Sequence, residues 1–246
     1  MLNRLVVDGF RSLRHVNIEF PMLTVLFGPN AAGKSNVLDA IQFLAAAGTR
    51  RTLAEAFDTL RGRPIEAFEF PKGGLPALMR RARPEFSIRA EITPASEKKH
   101  WLDYGLTVAL TPRSGLLAVR KERLAKVRLN GKVIEPHCVE LGRSKGKVSA
   151  RTAKKIAESA SEDGMMDHTV VSNRSLGGTR FSEIEALRTD LDSWRVYSLE
   201  PRTAMRSPAP PKAVKDIGQS GENLAAFLFS LRSEENTRRI FDQIDR

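Results

Sequence analysis

Three patterns in the sequence predict an α/β fold. An apolar run at residues 22–27 is followed by a glycine-bearing turn and then, at 36–47, by apolar residues at helical spacing. Strict apolar/polar alternation over 85–92 and again over 104–110 is typical of half-buried strands. Helical spacing returns between 182 and 231. Strands and helices in this order indicate a mixed architecture.

The N-terminal region contains the strand–turn–helix pattern. Residues 16–20 alternate and predict a half-buried strand, which Pro21 ends. Residues 22–27 read MLTVLF, and a continuous apolar run of this length favours a central strand covered on both faces. After the helix at 36–47, a short helix is predicted at 52–60. A loop rich in Gly, Pro and Arg then extends to residue 83.

Residues 84–135 are predicted to form an antiparallel β-subdomain. Two further strand-like runs lie between 116 and 134, besides the two alternating runs already described. Asn130-Gly131 favours a tight hairpin turn, because both central positions of such a turn need positive φ. Residues 142–167 are rich in Lys, Ser and Gly and predict a mobile basic segment around a short helix.

The C-terminal part changes character after residue 200. A helix beginning at Ser182 is followed by strand-like residues 195–199, and a Pro-rich connector follows from Pro201. Two amphipathic helices are then predicted, and the second runs to the last residue without a glycine or other stop signal. We therefore expect a lobe over 1–200, and over 201–246 a connector with the start of a helical part. The sequence looks truncated.

Composition excludes several classes of protein. The chain has 246 residues, a formal net charge of +11, 41% hydrophobic and 28% charged residues, which is a globular composition. No apolar run approaches the ~20 residues of a membrane span, and the N-terminus lacks a signal-peptide layout. The single cysteine, Cys138, cannot form an internal disulfide, which fits a reducing compartment. These features predict a soluble, cytoplasmic protein.

The positive charge is concentrated in one zone. Residues 113–155 contain thirteen basic and three acidic residues, so ten of the eleven net charges lie there. Such a zone suits a phosphate-backbone partner, and DNA is the candidate. The alternative is a solvated sheet edge, where Lys and Arg discourage edge-to-edge pairing. Few aromatic residues are interleaved with the charges, so stacking on single-stranded bases is not supported.

Residues 28–35 read GPNAAGKS and match the phosphate-loop pattern G-x-x-x-x-G-K-[ST]. The two glycines allow a tight turn whose N–H groups point inward as an anion nest, at the N-terminus of the following helix. Lys34 is predicted to neutralise the β- and γ-phosphate oxygens of ATP, and the Ser35 hydroxyl to ligate Mg²⁺. The alternative, a plain glycine turn, is less favoured because the motif has an apolar strand-like run before it and a helix after it.

These residues and their surroundings resemble the SMC/RecF/OLD branch of ABC-type ATPases, and most closely the OLD-like AAA ATPases of bacteria. The phosphate loop is the specific part of the likeness. Weaker similarities are the segment LVVDGFRSL before it, NVLDAIQFL after it, Tyr104 with Glu122 and Leu124, the residues around Trp194, and GENLA at 221–225. Ala31 departs from the pattern, where glycine is commoner. The expected fold is thus a P-loop NTPase of the ABC-ATPase lobe I type.

The resemblance implies a function as well as a fold. Such domains bind ATP between two heads, so a nucleotide-dependent homodimer is expected once the chain is complete. They act in DNA repair, DNA maintenance or phage defence, often with a nuclease partner. The resemblance also places Arg11 near the nucleotide and Asn30 in the phosphate cradle; for Arg11 the alternative is an exposed arginine after a strand. The predicted ATP-binding residues are Gly28, Asn30, Ala31, Ala32, Gly33, Lys34, Ser35, Asn36 and Arg11, with Ser35 as the Mg²⁺ ligand.

The hydrolytic part of an ABC-type ATPase is not recognisable in the sequence. Such an enzyme needs a signature motif and an apolar strand ending in Asp-Glu, whose acids hold Mg²⁺ and polarise water. The alternative is a degenerate site in which residues 175–179 (SLGGT) imitate the signature and Glu200 the acid. We therefore expect an ATPase whose catalytic residues are unknown and whose hydrolytic half lies elsewhere. The rival hypothesis is a non-hydrolysing, nucleotide-dependent interaction or DNA-binding module.

Overall fold

The computed structural model describes residues 1–96, 100–128, 139–144, 147–150, 166–176, 181–206, 214 and 216–244. The chain divides into two compact units, Met1–Trp194 and Arg195–Arg246. The first unit contains the phosphate loop and the whole described sheet.

One seven-stranded sheet organises the first unit. Its order is β2-β1-β3-β4-β5-β6-β7, and every described pair is antiparallel. Apart from β1 and β3, neighbouring strands are consecutive in the chain, so β3 to β7 form a meander that local turns can build. The strands are β1 (Leu2–Asp8), β2 (Val16–Glu19), β3 (Glu85–Ile92), β4 (His100–Thr111), β5 (Leu116–Arg128), β6 (Val139–Ser144) and β7 (Lys147–Ala150).

One face of the sheet forms the core. Along β3, Phe86, Ile88, Ala90 and Ile92 are buried and alternate with more exposed residues, as period-2 patterning requires. The register carries this face across the sheet, because Ile88 pairs with Leu106. The core also holds a group of buried aromatic rings, Phe10, Phe43, Phe57, Phe68 and Phe86, with several edge-to-face contacts.

Six α-helices lie in the described ranges: α1 (Lys34–Thr49), α2 (Leu53–Phe57), α3 (Gly74–Arg80), α4 (Ser182–Ser193), α5 (Leu224–Ser233) and α6 (Glu235–Ile244). Helices α1 and α4 pack together closely enough that a Cβ at Gly48 would overlap Leu191. Within the described ranges, none of the helices combines the length and apolar character that a membrane crossing requires.

The predicted α/β class, with an antiparallel β-subdomain and C-terminal helices, is confirmed. Two predicted strands are wrong: residues 22–27 and 195–199 belong to no described strand. Within residues 195–199, the Ser198 N–H instead donates to the Gln219 carbonyl, in the turn at 219–220, at 2.8 Å. The sequence analysis predicted a loop where helix α3 lies. The Gly and Pro residues of α3 obscured its short apolar pattern, which is why the helix was not predicted.

The basic region also differs from the prediction where it is described. Strands β6 and β7 extend the sheet beyond residue 135 and into the segment predicted to be a mobile excursion. The Asn130-Gly131 turn, Cys138 and residues 151–165 lie outside the described residues, as does the Gly177–Thr179 part of the signature-like sequence.

Candidate nucleotide-binding site

The phosphate-loop sequence forms a tight turn with three positive φ angles. They are 148° at Gly28, 64° at Ala31 and 90° at Gly33. Ala31 therefore adopts the left-handed conformation in which glycine is favoured, at a cost of about 1–2 kcal/mol for a residue with a Cβ. Gly33 also needs its small size, because a Cβ there would lie 3.2 Å from the Ser12 hydroxyl oxygen.

Helix α1 begins immediately after this turn. No side chain caps its N-terminus, and its first turn contains no acidic residue. The Val37 N–H bonds to the Gly33 carbonyl at 3.1 Å, so the N–H groups of residues 34–36 precede the first intrahelical hydrogen bond. An uncapped helix N-terminus has positive character and attracts anions.

Lys34 lies at the first position of α1 and reaches back over the loop. Its Nζ donates to the carbonyls of Gly28 at 2.8 Å and Pro29 at 2.7 Å. Ser35 is exposed in the first helical turn, and Asn30, Ala31 and Ala32 are exposed at the crest of the loop. The turn thus brings together an ammonium group, a hydroxyl and a helix N-terminus, which is the set that the sequence predicted.

A second turn, residues 9–13, braces the phosphate loop. The Asn36 side-chain amide donates to the Ser12 hydroxyl at 2.7 Å, and Ser12 is also the neighbour of Gly33. The phosphate-loop motif did not predict Ser12 as a contact of the loop, because Ser12 is far from residues 28–35 in the sequence.

Arg11, in the same turn, lies against helix α1. Its Nε is 3.2 Å from an Asp39 carboxylate oxygen, and its guanidinium donates to the Arg61 carbonyl at 2.6 Å. The sequence prediction named Arg11 but missed Asp39 and Arg61. The available signal was an aspartate within an otherwise apolar helical stretch, four residues after Ser35.

An apolar cavity of about 380 Å³ lies beside the phosphate loop. Val16 and Ile18 of β2 form one wall and Val37 of α1 another, and Val25 and Phe27 also line it. The prediction that residues 22–27 form a covered strand is therefore wrong for this chain, because side chains of that run are highly exposed. The exposed fractions are 93% for Met22, 81% for Leu23, 72% for Val25 and 91% for Phe27.

A buried carboxyl group lies on β5, outside the predicted site. Glu122 accepts the Tyr104 phenolic hydrogen at 2.9 Å and the backbone N–H groups of Val170 and Val171 at 2.7 and 3.1 Å. Burial raises the pKa of Glu122 to about 7, although these three hydrogen bonds act in the opposite direction. Burial, with the neighbouring Glu122 charge, also raises the pKa of Tyr104 well above its usual value.

The basic zone is described in part. Arg120 pairs with Glu85, and Lys126 lies 3.9 Å from Glu183. Lys121 and Arg123 are exposed on β5.

Among the described residues, no group of three His, Cys, Asp or Glu side chains is arranged to hold a metal ion.

Comparison with known proteins finds a matching domain family and similar proteins. Residues 23–136 match the family described as "AAA domain, putative AbiEii toxin, Type IV TA system". The DNA replication and repair protein RecF of Lactobacillus acidophilus is 30% identical over 103 residues, which are 42% of this chain and 25% of the relative. The RecF protein of Lactobacillus delbrueckii subsp. bulgaricus is 48% identical over 52 residues, which are 21% of this chain and 14% of the relative.

A solved structure of the recombination mediator RecF with ATP is 19% identical and covers 55% of this chain and 27% of that chain, with a TM-score of 0.32. The aligned part of this chain spans a quarter or less of each of the two RecF sequences. The family match and the RecF sequences agree with the resemblance seen in the sequence: this chain is similar to the ABC-type AAA ATPases of the RecF, SMC and OLD kind.

Proposed function

We propose that this chain binds Mg-ATP through residues 28–36. The observation that carries the proposal is the uncapped N-terminus of α1, which directly follows three positive φ angles and has Lys34 as its first residue. Backbone N–H groups at such a helix start favour a phosphate, and the ammonium group adds a charge-assisted hydrogen bond. The match to an AAA domain family and the sequence similarity to RecF support a nucleotide as the ligand.

The residues of the loop fit a magnesium nucleotide. Bound Mg²⁺ would offset negative charge on the phosphate oxygens, and the Ser35 hydroxyl is the group that would hold it. Lys34 would exchange its bonds to the Gly28 and Pro29 carbonyls for bonds to phosphate oxygens, which are stronger because both partners are charged. The exposed crest of the loop leaves room for this exchange.

We also propose that hydrolysis needs further polypeptide that pairs with residues 22–27. This run has the composition of a central strand, yet its side chains are among the most exposed apolar groups in the chain. Exposed apolar surface next to an apolar cavity is typical of an interaction site. The expected occupant is a strand ending in acidic residues, because such acids are needed beside the phosphate loop to orient the attacking water.

The RecF matches support a role in DNA repair. In that role we propose nucleotide-dependent dimerisation and contact with DNA, and a nuclease as a further partner. The exposed Lys121 and Arg123 are the described residues of the basic zone best placed for phosphate contacts, since Arg120 already has a partner.

The binding proposal is tested by titrating ATP and Mg²⁺ into the wild-type chain, a Lys34→Ala variant and a Lys72→Ala variant. Lys72 is an exposed lysine outside the loop, so its variant has the same loss of charge. Loss of a charge-assisted bond of about 1.5–3 kcal/mol lowers the affinity of Lys34→Ala by about 10- to 100-fold. Lys72→Ala should bind as the wild type does. Equal affinity of the wild type and Lys34→Ala would remove the basis of the proposal.

The second candidate function is a nucleotide-dependent interaction module that does not hydrolyse ATP. The observation that favours it concerns Glu200, the acid of the degenerate alternative. The Glu200 carboxylate accepts a hydrogen bond from the Thr203 hydroxyl at 2.8 Å, and its backbone carbonyl accepts one from the Met205 N–H at 3.2 Å, so Glu200 is held within its own turn. Single-turnover hydrolysis distinguishes the candidates when the further polypeptide that pairs with residues 22–27 is present. Rapid turnover of bound ATP under that condition would exclude the second candidate.

A further inference from the structure

Asp39 is a nearly buried acid on the helix that starts at the phosphate loop. It lies four residues after Ser35, which places both on the same side of α1 about one turn apart. Its residue exposure is 5%, among apolar neighbours such as Ala40 and Phe43 that are fully buried. A buried carboxylate needs partners of opposite charge, because burial otherwise disfavours its ionised form.

Two arginines supply those partners. Asp39 is 3.2 Å from the Nε of Arg11 and 3.2 Å from a terminal nitrogen of Arg61. Arg11 also donates to the Arg61 carbonyl, so the three residues form one closed cluster. Two guanidinium groups and one carboxylate leave a net charge of +1 beside the phosphate loop.

The two arginines differ in how firmly they are held. The Arg11 side chain is 16% exposed and that of Arg61 is 66% exposed. The Arg11 backbone has a φ of 51°, its N–H donates to the Ala67 carbonyl at 2.8 Å, and its guanidinium carbon lies 5.9 Å from the Phe10 ring centroid. A left-handed non-glycine residue costs about 1–3 kcal/mol and persists where the surroundings fix it.

Arg11 has donor capacity that its neighbours do not use. Its buried Nε forms no hydrogen bond to any described residue, although it lies at ion-pair distance from Asp39. A buried donor without an aligned acceptor is uncommon and costly. The next residue, Ser12, bonds to Asn36 and touches the position of Gly33, so this turn is in direct contact with the phosphate loop.

We propose that Asp39 is a positioning residue: it holds the Arg11 guanidinium beside the phosphate loop, where the arginine favours the more highly charged nucleotide, ATP over ADP. This role rests on the proposed function of the loop. The ion pair fixes an arginine fork, which matches phosphate oxygens better than a mobile cation does. Because the cluster retains a net positive charge, an added phosphate group is attracted rather than repelled.

The test measures ATP and ADP affinities at constant ionic strength for the wild type, Asp39→Asn, Arg11→Ala and the double variant. Asp39→Asn should weaken ATP binding about tenfold and ADP binding less, which lowers the ATP:ADP preference. In the Arg11→Ala background, Asp39→Asn should have no further effect, because the two residues act as one unit. Glu69→Gln is the matched control, since it removes a carboxylate paired at 2.6 Å with Arg14, which directly follows the turn at residues 9–13. It should leave the preference unchanged.

An unchanged ATP:ADP preference in a folded Asp39→Asn protein would overturn this role. The role would also be overturned if Asp39→Asn lowered the ATP affinity equally in the presence and absence of Arg11, because a purely structural carboxylate acts without Arg11. If Asp39→Asn does not fold, Asp39→Glu keeps the charge but displaces the carboxylate, and it should lower the preference about threefold; a wild-type ratio in that variant contradicts the role. A wild type that binds neither nucleotide overturns the function of the loop itself, and this role with it.

Discussion

The Thr169 hydroxyl donates to the Ala47 carbonyl at 2.7 Å, where both residues are buried. Ala47 lies near the C-terminal end of α1, the helix whose first residue is Lys34. The segment around Thr169 is in turn fixed by Glu122 of the sheet, which accepts two of its N–H groups. The helix that presents the phosphate loop is therefore anchored at its far end to the β-sheet through one short segment.

Glu122 should make stability depend on pH. Its pKa is raised from 4.5 to about 7 in the folded chain, so between these values the folded state holds a proton that the unfolded state releases. Stability from this group is fully present below about pH 4.5 and falls by about 3 kcal/mol as the pH rises to about 7. Denaturant unfolding of the wild type and Glu122→Gln at pH 5 and pH 8 measures the effect.

The Glu122→Gln variant cannot ionise, so its free energy of unfolding relative to that of the wild type should rise by about 2.5 kcal/mol between pH 5 and pH 8. Glu19→Gln, a change at an exposed residue of β2, is the control and should run parallel to the wild type. Parallel curves for Glu122→Gln would show that the buried carboxyl does not titrate in this range.

Arg188 of α4 should be important for the same segment. Its guanidinium donates to the carbonyls of Val171, Asn173 and Leu176 at 2.8, 2.9 and 2.6 Å. Lysine keeps the charge but cannot reach three acceptors in this arrangement, so Arg188→Lys should lower the free energy of unfolding by about 2 kcal/mol. Hydrogen exchange should also rise locally over residues 169–176. Arg174→Lys, at an exposed position of the segment, should do neither.

Phe27→Ser should change association without changing stability. Phe27 is 91% exposed, so its loss should alter the free energy of unfolding by less than about 0.5 kcal/mol. Sedimentation should show less self-association, because an apolar group is removed from an exposed patch. Phe43→Ala, at a fully buried ring, should cost about 3–5 kcal/mol. A comparable cost for Phe27→Ser would mean that residues 22–27 are buried in the isolated chain.

Binding to double-stranded DNA should depend on salt, with a contribution from Lys121 and Arg123. Replacing both with Gln removes two phosphate contacts, so the slope of log affinity against log salt should decrease in magnitude by about 2. Arg50 and Arg51 are exposed outside the basic zone, and the same double change there should leave the slope as it was. Equal slopes for the two double variants would contradict DNA contact through β5.

Elements that depend on local pattern were predictable from the sequence. The alternation at 85–92 predicted the bounds of β3, and the helices after the phosphate loop and from Ser182 follow from apolar spacing. The phosphate loop was recognisable because its chemistry depends on eight consecutive residues. An apolar run, in contrast, indicates a preference for burial but not the partner that buries it, and this is why the strand prediction for 22–27 was wrong.

The sequence by itself therefore determined the loop, the helix that starts at Lys34 and the alternating strands, since their causes lie within a few residues. Tertiary structure decided the order of the sheet, the cluster of Arg11, Asp39 and Arg61, and the burial of Glu122 beneath Val170 and Val171. The contacts of the cluster and those of Glu122 with Val170 and Val171 join residues that are 22 or more positions apart, and chain folding sets their distances, charges and dielectric surroundings. Local periodicity does not determine these long-range relationships.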